Sequence, residues 1–223
     1  RRRLRHLLQT RAVTNPARAI ERCVDKSMTS FLLARRGVPT PPTWAVQSAE
    51  AAAARCAREA AIGRPLVLKP LFGAQGRGLR LVRGVSDLPP AEGVGGVFYL
   101  QRFVADGRAG WHDYRGGGGG GGGVAGRRRR GGGGVTNTGR GGSPEPVAAT
   151  GRLGELACAA AAAVGADHAG VDLIEAGTDG LMVLEVNSMP AWQGLQAVST
   201  ANIALALARD VLARARGGAC APA

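Results

Sequence analysis

Apolar residues fall at helical spacing through AIERCVDKSMTSFLLARRG (19–37), and Gly37 supplies a C-terminal stop. That spacing predicts one helix. VPTPPTW (38–44) interrupts it with prolines and reads as extended chain, and SAEAAAARCAREAA (48–61) predicts a second helix with Ser48 as its N-cap. PLVLKP (65–70) has the unbroken apolar pattern of a buried strand. GLRLV (78–82) reads as its partner across a glycine-rich loop, and VFYLQRFV (97–104) as another strand. An alanine-rich helix is expected over VAATGRLGELACAAAAAVG (147–165), and a closing amphipathic helix over STANIALALARDVLARAR (199–216). Between them, HAGVDLIEAGTDGLMVLEVN (168–187) predicts a hairpin turning at G-T-D-G (177–180). Hairpins outnumber β-α-β crossovers, so the fold class is α+β with mostly antiparallel sheets.

One interval resists this pattern. RGGGGGGGGVAGRRRRGGGG (115–134) holds eight consecutive glycines and then four more. Glycine offers no side chain to a core and carries a large backbone entropy cost on ordering. Taken by itself the stretch reads as a flexible linker.

Composition narrows the class. With 223 residues, 45% hydrophobic and 20% charged, the chain is globular rather than disordered. Aromatics make up only 4%, so Ala, Val and Leu must build the core. Cys23, Cys56, Cys158 and Cys220 are scattered, with no C-x-x-C and no His at zinc spacing, which suits reduced thiols in a cytoplasmic protein. No apolar run reaches membrane-spanning length and no signal-peptide pattern is present, so a membrane partner is not expected. The chain begins at Arg1 without Met, which reads as a piece of something longer. The net charge of +13 raises nucleic acid as a partner, with clusters at 1–3 and 127–130. No aromatics interleave with them, and neither a helix-turn-helix nor a zinc-finger pattern accompanies them. An Arg-, Ala- and Gly-biased sequence with solvated basic faces is the simpler reading, and nucleic acid is disfavoured. A basic surface also suits an anionic small substrate.

Only two of the basic residues are lysines, Lys26 and Lys69. Lys69 ends the strand that precedes FGAQGRG (72–78). A glycine loop between strands lets backbone N–H groups approach a phosphate, and lysine adds a compact point charge. Gly73, Gln75, Gly76 and Gly78 are the loop candidates. The P-loop pattern is absent, and the loop leads into a strand rather than the helix a dinucleotide fingerprint needs. A plain glycine-rich hairpin would look the same. The C-terminal hairpin shifts that balance. Glu185 and Asn187 lie two residues apart on one strand face, and Asp172 on the partner strand shares it if the register allows. Two carboxylates and an amide oxygen suit Mg²⁺ and leave positions for phosphates. A solvated polar face is the alternative, but the strands are otherwise apolar, and acids there are costly without a partner.

Together these pieces resemble the ATP-grasp superfamily, and within it the RimK-type amino-acid (alpha-L-glutamate) ligases. VDKSMTSFLLARRGVPTPPT, PLVLKPLFGAQGRGLRLV, YLQRFV, HDYR, VTNTGRGG, AGVDLIE and LEVNSMPAWQGLQ come in the family's order, across about residues 14 to 214. The resemblance implies an ATP-grasp fold, two α+β subdomains holding ATP between them. Residues 19–104 would be the N-terminal subdomain with its phosphate loop at 73–78. Residues 105–216 would be the C-terminal subdomain with the Mg²⁺ site, 1–18 the remnant of a preceding domain and 217–223 a tail. It implies that Lys26 and Lys69 hold ATP phosphates, and that Arg102 and Phe103 present backbone to adenine, although relatives more often carry an acidic residue at position 102. It further implies that Asp113, Thr136 and Asn137 contact the nucleotide. Arg115 would lie near the transferred phosphate, Arg140 would face the acyl-phosphate and tetrahedral intermediates, and Asp172, Glu185 and Asn187 would ligate Mg²⁺, with Mn²⁺ as a substitute. Relatives place a β-hairpin where the glycine run stands, in conflict with the linker reading.

The implied chemistry is ATP-dependent amide formation through an acyl phosphate, which needs no side-chain nucleophile. This agrees with the absence of a Ser-His-Asp or Cys-His arrangement. A small carboxylate and an amino acid are the expected partners, with glutamate as the leading amino acid; a homo-oligomer is compatible. The NSMPAWQGLQ ending departs from the NASPG-like ending of members that modify ribosomal protein and resembles relatives associated with tetrahydromethanopterin-type cofactors. Two other classes fit parts of the chain: a basic nucleic-acid-binding protein, and a degenerate ATP-grasp module that only binds or scaffolds.

Overall fold

The structure, a computed structural model, describes residues 14–73, 78–104, 111–119, 122–123, 125–131 and 144–217. Where the apolar spacing predicts one helix there are two, α1 (Ala17–Val24) and α2 (Lys26–Arg35). Asp25 separates them at φ −92° and ψ 105°, and its carboxylate accepts from the backbone N–H groups of Ser27 and Met28 at 2.9 and 3.1 Å. A short acidic side chain that captures donors this way starts a new helix. The hydrophobic spacing runs on through the break, so periodicity alone does not show it. One consequence is functional: Lys26 becomes the first residue of α2.

Four strands form the smaller sheet: β1 (Thr43–Val46), β2 (Leu66–Lys69), β3 (Arg80–Val82) and β4 (Phe98–Arg102). They pair antiparallel in the order β1-β4-β2-β3. β1 begins inside the proline-rich stretch that the sequence marks only as extended. α3 (Ala49–Ala61), capped by Ser48 as predicted, buries Ala52 and Cys56 with Leu66, Leu68, Val82, Phe98 and Leu100. Strand alternation therefore leaves Val67, Lys69, Tyr99 and Gln101 on the opposite face.

The larger sheet contains β5 (Trp111–Gly119), β6 (Gly122–Gly123), β7 (Gly126–Gly131), β8 (Pro144–Val147), β9 (His168–Glu175) and β10 (Leu181–Asn187). Its order is β10-β9-β5-β7-β8, with β6 paired to β5 and every pairing antiparallel. Residues 116–119 and 122–123 of the glycine run are thus strand and not linker. Residues 116–119 pair with 168–171 of β9, so the ladder takes up alternate backbone donors and acceptors of these glycines. α4 (Gly151–Val164) lies against β5 and buries Ala157, Ala160 and Ala161. Small residues on the helix let its backbone approach a strand that has no side chains of its own there. The same helix joins Leu32 and Leu33 of α2 and Val171, Leu173, Val183 and Val186 of the hairpin in one core. The chain closes with α5 (Gln193–Gln196) and α6 (Ile203–Gly217).

Two prolines tie the sheets together. The Pro39 carbonyl accepts from the Val183 N–H at 2.7 Å, and the Pro42 carbonyl accepts from the Arg102 N–H at 2.8 Å. Asn15, which is 3% exposed, ties the segment before α1 to the larger sheet. Its Oδ1 accepts from the N–H groups of Asp167 and His168 at 2.7 and 2.9 Å, and its Nδ2 donates to the carbonyls of His168 and Ser188 at 2.8 and 2.6 Å. Asn15→Ala leaves those backbone groups without this partner and is expected to lower the unfolding free energy by on the order of 3 kcal/mol, read from urea denaturation.

Candidate functional site

The phase of the β9–β10 hairpin decides whether its acids meet. Val183 opposes Leu173, so in an unbroken ladder Leu184 would oppose Asp172 and Glu185 would turn to the core face. A bulge between Val183 and Glu185 shifts the phase by one residue. Glu185 then opposes Asp172, and Asn187 opposes Gly170. The N–H of Val183, spent on Pro39 at the start of the bulge, gives a physical reason for the shift. Both carboxylates and the amide therefore share the face opposite the core residues Val171, Leu173, Val183 and Val186. Asp172 and Glu185 are half-buried and Asn187 is exposed. On the far side of Asp172, Arg115 of β5 stands in register with it, and Asp113 is in register with Arg129 of β7.

Both lysines converge on this face. Lys26 Nζ donates to the Gly73 carbonyl at 2.7 Å and lies 3.9 Å from Glu185 Oε1. Lys69, at the end of β2, donates to Gln101 Oε1 at 2.6 Å. Desolvation pushes the Lys69 ammonium down to about 8; Glu185 opposes that shift, Lys26 adds to it and Asp172 opposes it. These four charges thus feel one another across the gap between the two sheets. They balance as two positive and two negative, so a bound dication would leave the cluster net positive, which suits a polyphosphate.

The loop after Lys69 is framed by glycines in conformations that other residues resist, Gly73 at φ 150° and Gly78 at φ 76°. A Cβ on Gly78 would also stand 2.9 Å from Pro70 Cγ. Gln75 and Gly76 lie outside the described residues, as do Thr136, Asn137 and Arg140. At the end of β4, the Phe103 N–H donates to the Pro65 carbonyl at 2.9 Å, and with Arg102 bonded to Pro42 both donors are already used. The Arg102 side chain turns to the α3 side, pairing with the buried carboxylate of Glu59 at 2.8 Å with Trp44 beneath it. With both N–H donors used, a backbone contact from residue 102 or 103 to a ligand would have to run through a carbonyl.

The chain matches the family described as the RimK-like ATP-grasp domain over residues 23–211. It belongs to that family. Tetrahydromethanopterin:alpha-L-glutamate ligase of Methanococcus maripaludis is 33% identical over 215 residues, covering 94% of this chain and 72% of the relative. The ligase of the same name from Methanocaldococcus jannaschii is 36% identical over 219 residues, covering 94% and 73%. A probable alpha-L-glutamate ligase of Sodalis glossinidius is 34% identical over 206 residues, covering 90% and 68%. Among solved structures, the ATP-grasp ligase PsnB complexed with minimal precursor, Mg and ADP superposes with a TM-score of 0.70 at 22% identity, over 94% of this chain and 64% of its own. Biotin carboxylase of Campylobacter jejuni gives 0.67 at 22%, over 89% and 48%. At such identity these structures bear on the fold, which is the antiparallel α+β arrangement expected from the sequence.

The RimK-like frame allows a test of whether the residues suit a metal. Among the described residues no group of three or more His, Cys, Asp and Glu comes together. The donor set is two carboxylates and an amide oxygen. All are hard oxygens, and three protein donors leave coordination positions for phosphate, so the set fits Mg²⁺. Sequence reasoning missed three residues that shape this RimK-like site: Gln101 behind Lys69, and the pair Ser30 and Tyr99, whose hydroxyls meet at 2.7 Å. All three are buried polar groups. Tyr99 and Gln101 carry a sequence signal, a polar residue inside the apolar strand VFYLQRFV, whereas Ser30 on α2 carries none of that kind.

Proposed function

We propose that this RimK-like chain is an ATP- and Mg²⁺-dependent carboxylate–amine ligase that adds glutamate to a small carboxylate of the pterin-cofactor type. The observation that carries it is the bulge-set pair Asp172 and Glu185, with Asn187, facing the only two lysines of the chain. In this reading a substrate carboxylate oxygen attacks the γ-phosphorus of ATP, ADP leaves, and the amino nitrogen of glutamate displaces phosphate from the acyl carbon with loss of a proton. Lys26 and Lys69 hold phosphate oxygens, and backbone around Gly73 and Gly78 closes over them. Asp172, Glu185 and Asn187 would hold Mg²⁺, which supplies charge neutralisation on the phosphates when bound. Arg115 and Arg140 take the charge that develops on the transferred phosphoryl and at the acyl carbon. Arg102 and Phe103 offer carbonyls to the base, and Asp113, Thr136 and Asn137 complete the nucleotide contacts. The two sheets act as the two arms around ATP. Among the described residues no helix is long and apolar enough to cross a membrane.

The names of the methanogen relatives support the pterin-type acceptor, and glutamate is common to all three relatives. The test is ADP release from ATP with glutamate and tetrahydromethanopterin. Release that requires Mg²⁺, glutamate and the acceptor together is expected. ATP binding without release under any amino acid or acceptor would instead leave a binding module.

A pH signature follows from Lys69. Its ammonium titrates at about 8 in the free protein, and bound phosphate oxygens favour the charged form. Above that pH binding must therefore take up a proton, so ATP affinity is expected to fall by up to about tenfold per pH unit. Titrations between pH 7 and 9 should show this in the native protein and not in Lys69→Met.

A further inference from the structure

Gln101 is 2% exposed, yet neither end of its amide is idle. Oε1 accepts from Lys69 Nζ at 2.6 Å, and Nε2 donates to Thr43 Oγ1 at 3.2 Å. Thr43 opposes Gln101 in the β1–β4 register. The Thr43 hydroxyl donates its single proton to the Pro41 carbonyl at 2.8 Å. It therefore meets the amide through a lone pair, and only the nitrogen of Gln101 can face it. The amide has one orientation, with its oxygen held toward Lys69.

A second polar contact lies on the same face of β4, where Tyr99 stands two residues before Gln101. The Tyr99 hydroxyl meets Ser30 Oγ at 2.7 Å. Ser30 stands one turn beyond Lys26 on α2. One polar pair thus ties the helix that opens with Lys26 to β4, and a second set of bonds runs from Pro41 through Thr43 and Gln101 to the ammonium of Lys69.

We propose that Gln101 is a positioning residue for nucleotide binding, its amide oxygen fixing the Lys69 ammonium relative to Lys26 while leaving the charge intact. This rests on the reading of Lys69 as a phosphate ligand. A neutral acceptor suits the task, because it orients a flexible four-carbon stem without neutralising the ammonium. Among the described residues Lys69 has no second hydrogen-bond acceptor, which leaves its other N–H bonds for phosphate.

A double-mutant cycle tests it, with ATP affinity measured by titration for the native protein, Gln101→Met, Lys69→Met and the double variant. Gln101→Met is expected to weaken ATP about tenfold, the scale of one hydrogen bond to a charged group. On the Lys69→Met background the same change is expected to cost less than about twofold. Thr43→Val, which lets the amide turn, should reproduce part of the loss, and Thr43→Ser should restore affinity. That rescue separates positioning from packing, and it carries the test through the same cycle if Gln101→Met unfolds. Equal losses on both backgrounds, or no loss where Lys69→Met does lose affinity, would overturn the proposal and leave the nucleotide site standing. Unchanged affinity in Lys69→Met itself would remove Lys69 from the phosphates, and the proposal with it.

Discussion

Lys69→Met is expected to lower ATP affinity by on the order of a hundredfold, without a matching loss of stability. The two halves of that result come from one cause. Lys69 is half-buried, and desolvation outweighs the pull of Glu185 and Asp172, so its ammonium titrates at about 8 instead of 10.5. A lysine whose folded value is depressed binds fewer protons in the native state than in the unfolded one between those two values. Stability therefore rises with pH across that window, and at pH 7 the fold bears a cost for keeping Lys69 charged. Removing the charge removes that cost. What it also removes is a compact cation fixed by Gln101 beside Lys26 and the loop at Gly73. A structural lysine would show the opposite pairing, with stability lost and ligand binding untouched. Lys69→Arg is not expected to rescue, because a planar fork cannot replace a point charge held by one amide oxygen. Calorimetric titration beside thermal unfolding at pH 7 and pH 9 reads both halves.

Glu185→Gln is expected to separate metal from nucleotide. The substitution keeps the shape of the side chain and deletes one charge from a cluster of two lysines and two carboxylates. Without Mg²⁺, Lys26 loses a counter-charge at 3.9 Å, and ATP should bind as well as before or a few-fold tighter. With Mg²⁺, the gain in affinity seen in the native protein should vanish. Turnover should fall on the order of a thousandfold, because a metal at a transferring phosphoryl group contributes several kcal/mol to the transition state. Asp172→Asn should behave alike, since the bulge makes these residues direct cross-strand partners. A variant that instead loses metal-free ATP binding would show that Glu185 holds the fold of the hairpin.

Much of this was legible in the sequence, for reasons that differ by element. The helices at Ala49–Ala61 and Gly151–Val164 and the hairpin strands announce themselves through local pattern and capping chemistry. The helix break at Asp25 does not, because an apolar face can continue across a capped junction. The pairing of Asp172 with Glu185 could only be stated as conditional. Its condition is a bulge beside a hydrogen bond to Pro39, a contact 144 residues away that no local pattern encodes. The glycine run misleads for a related reason. Local entropy argues for a linker, while the edge of β9 and the alanines of α4 supply the partners that make it a strand. The site residues missed, Gln101, Tyr99 and Ser30, work through cross-strand and helix–sheet contacts. The turned-away side chain of Arg102 likewise depends on Glu59, a buried acid on α3 that composition gives no reason to single out.

The most direct test is a titration of ATP into the native protein with and without Mg²⁺. Saturable binding that Mg²⁺ strengthens is the result expected if two lysines and the Asp172–Glu185–Asn187 face form one nucleotide site. Folded protein that binds no ATP, or binds it equally with and without Mg²⁺, would contradict that site.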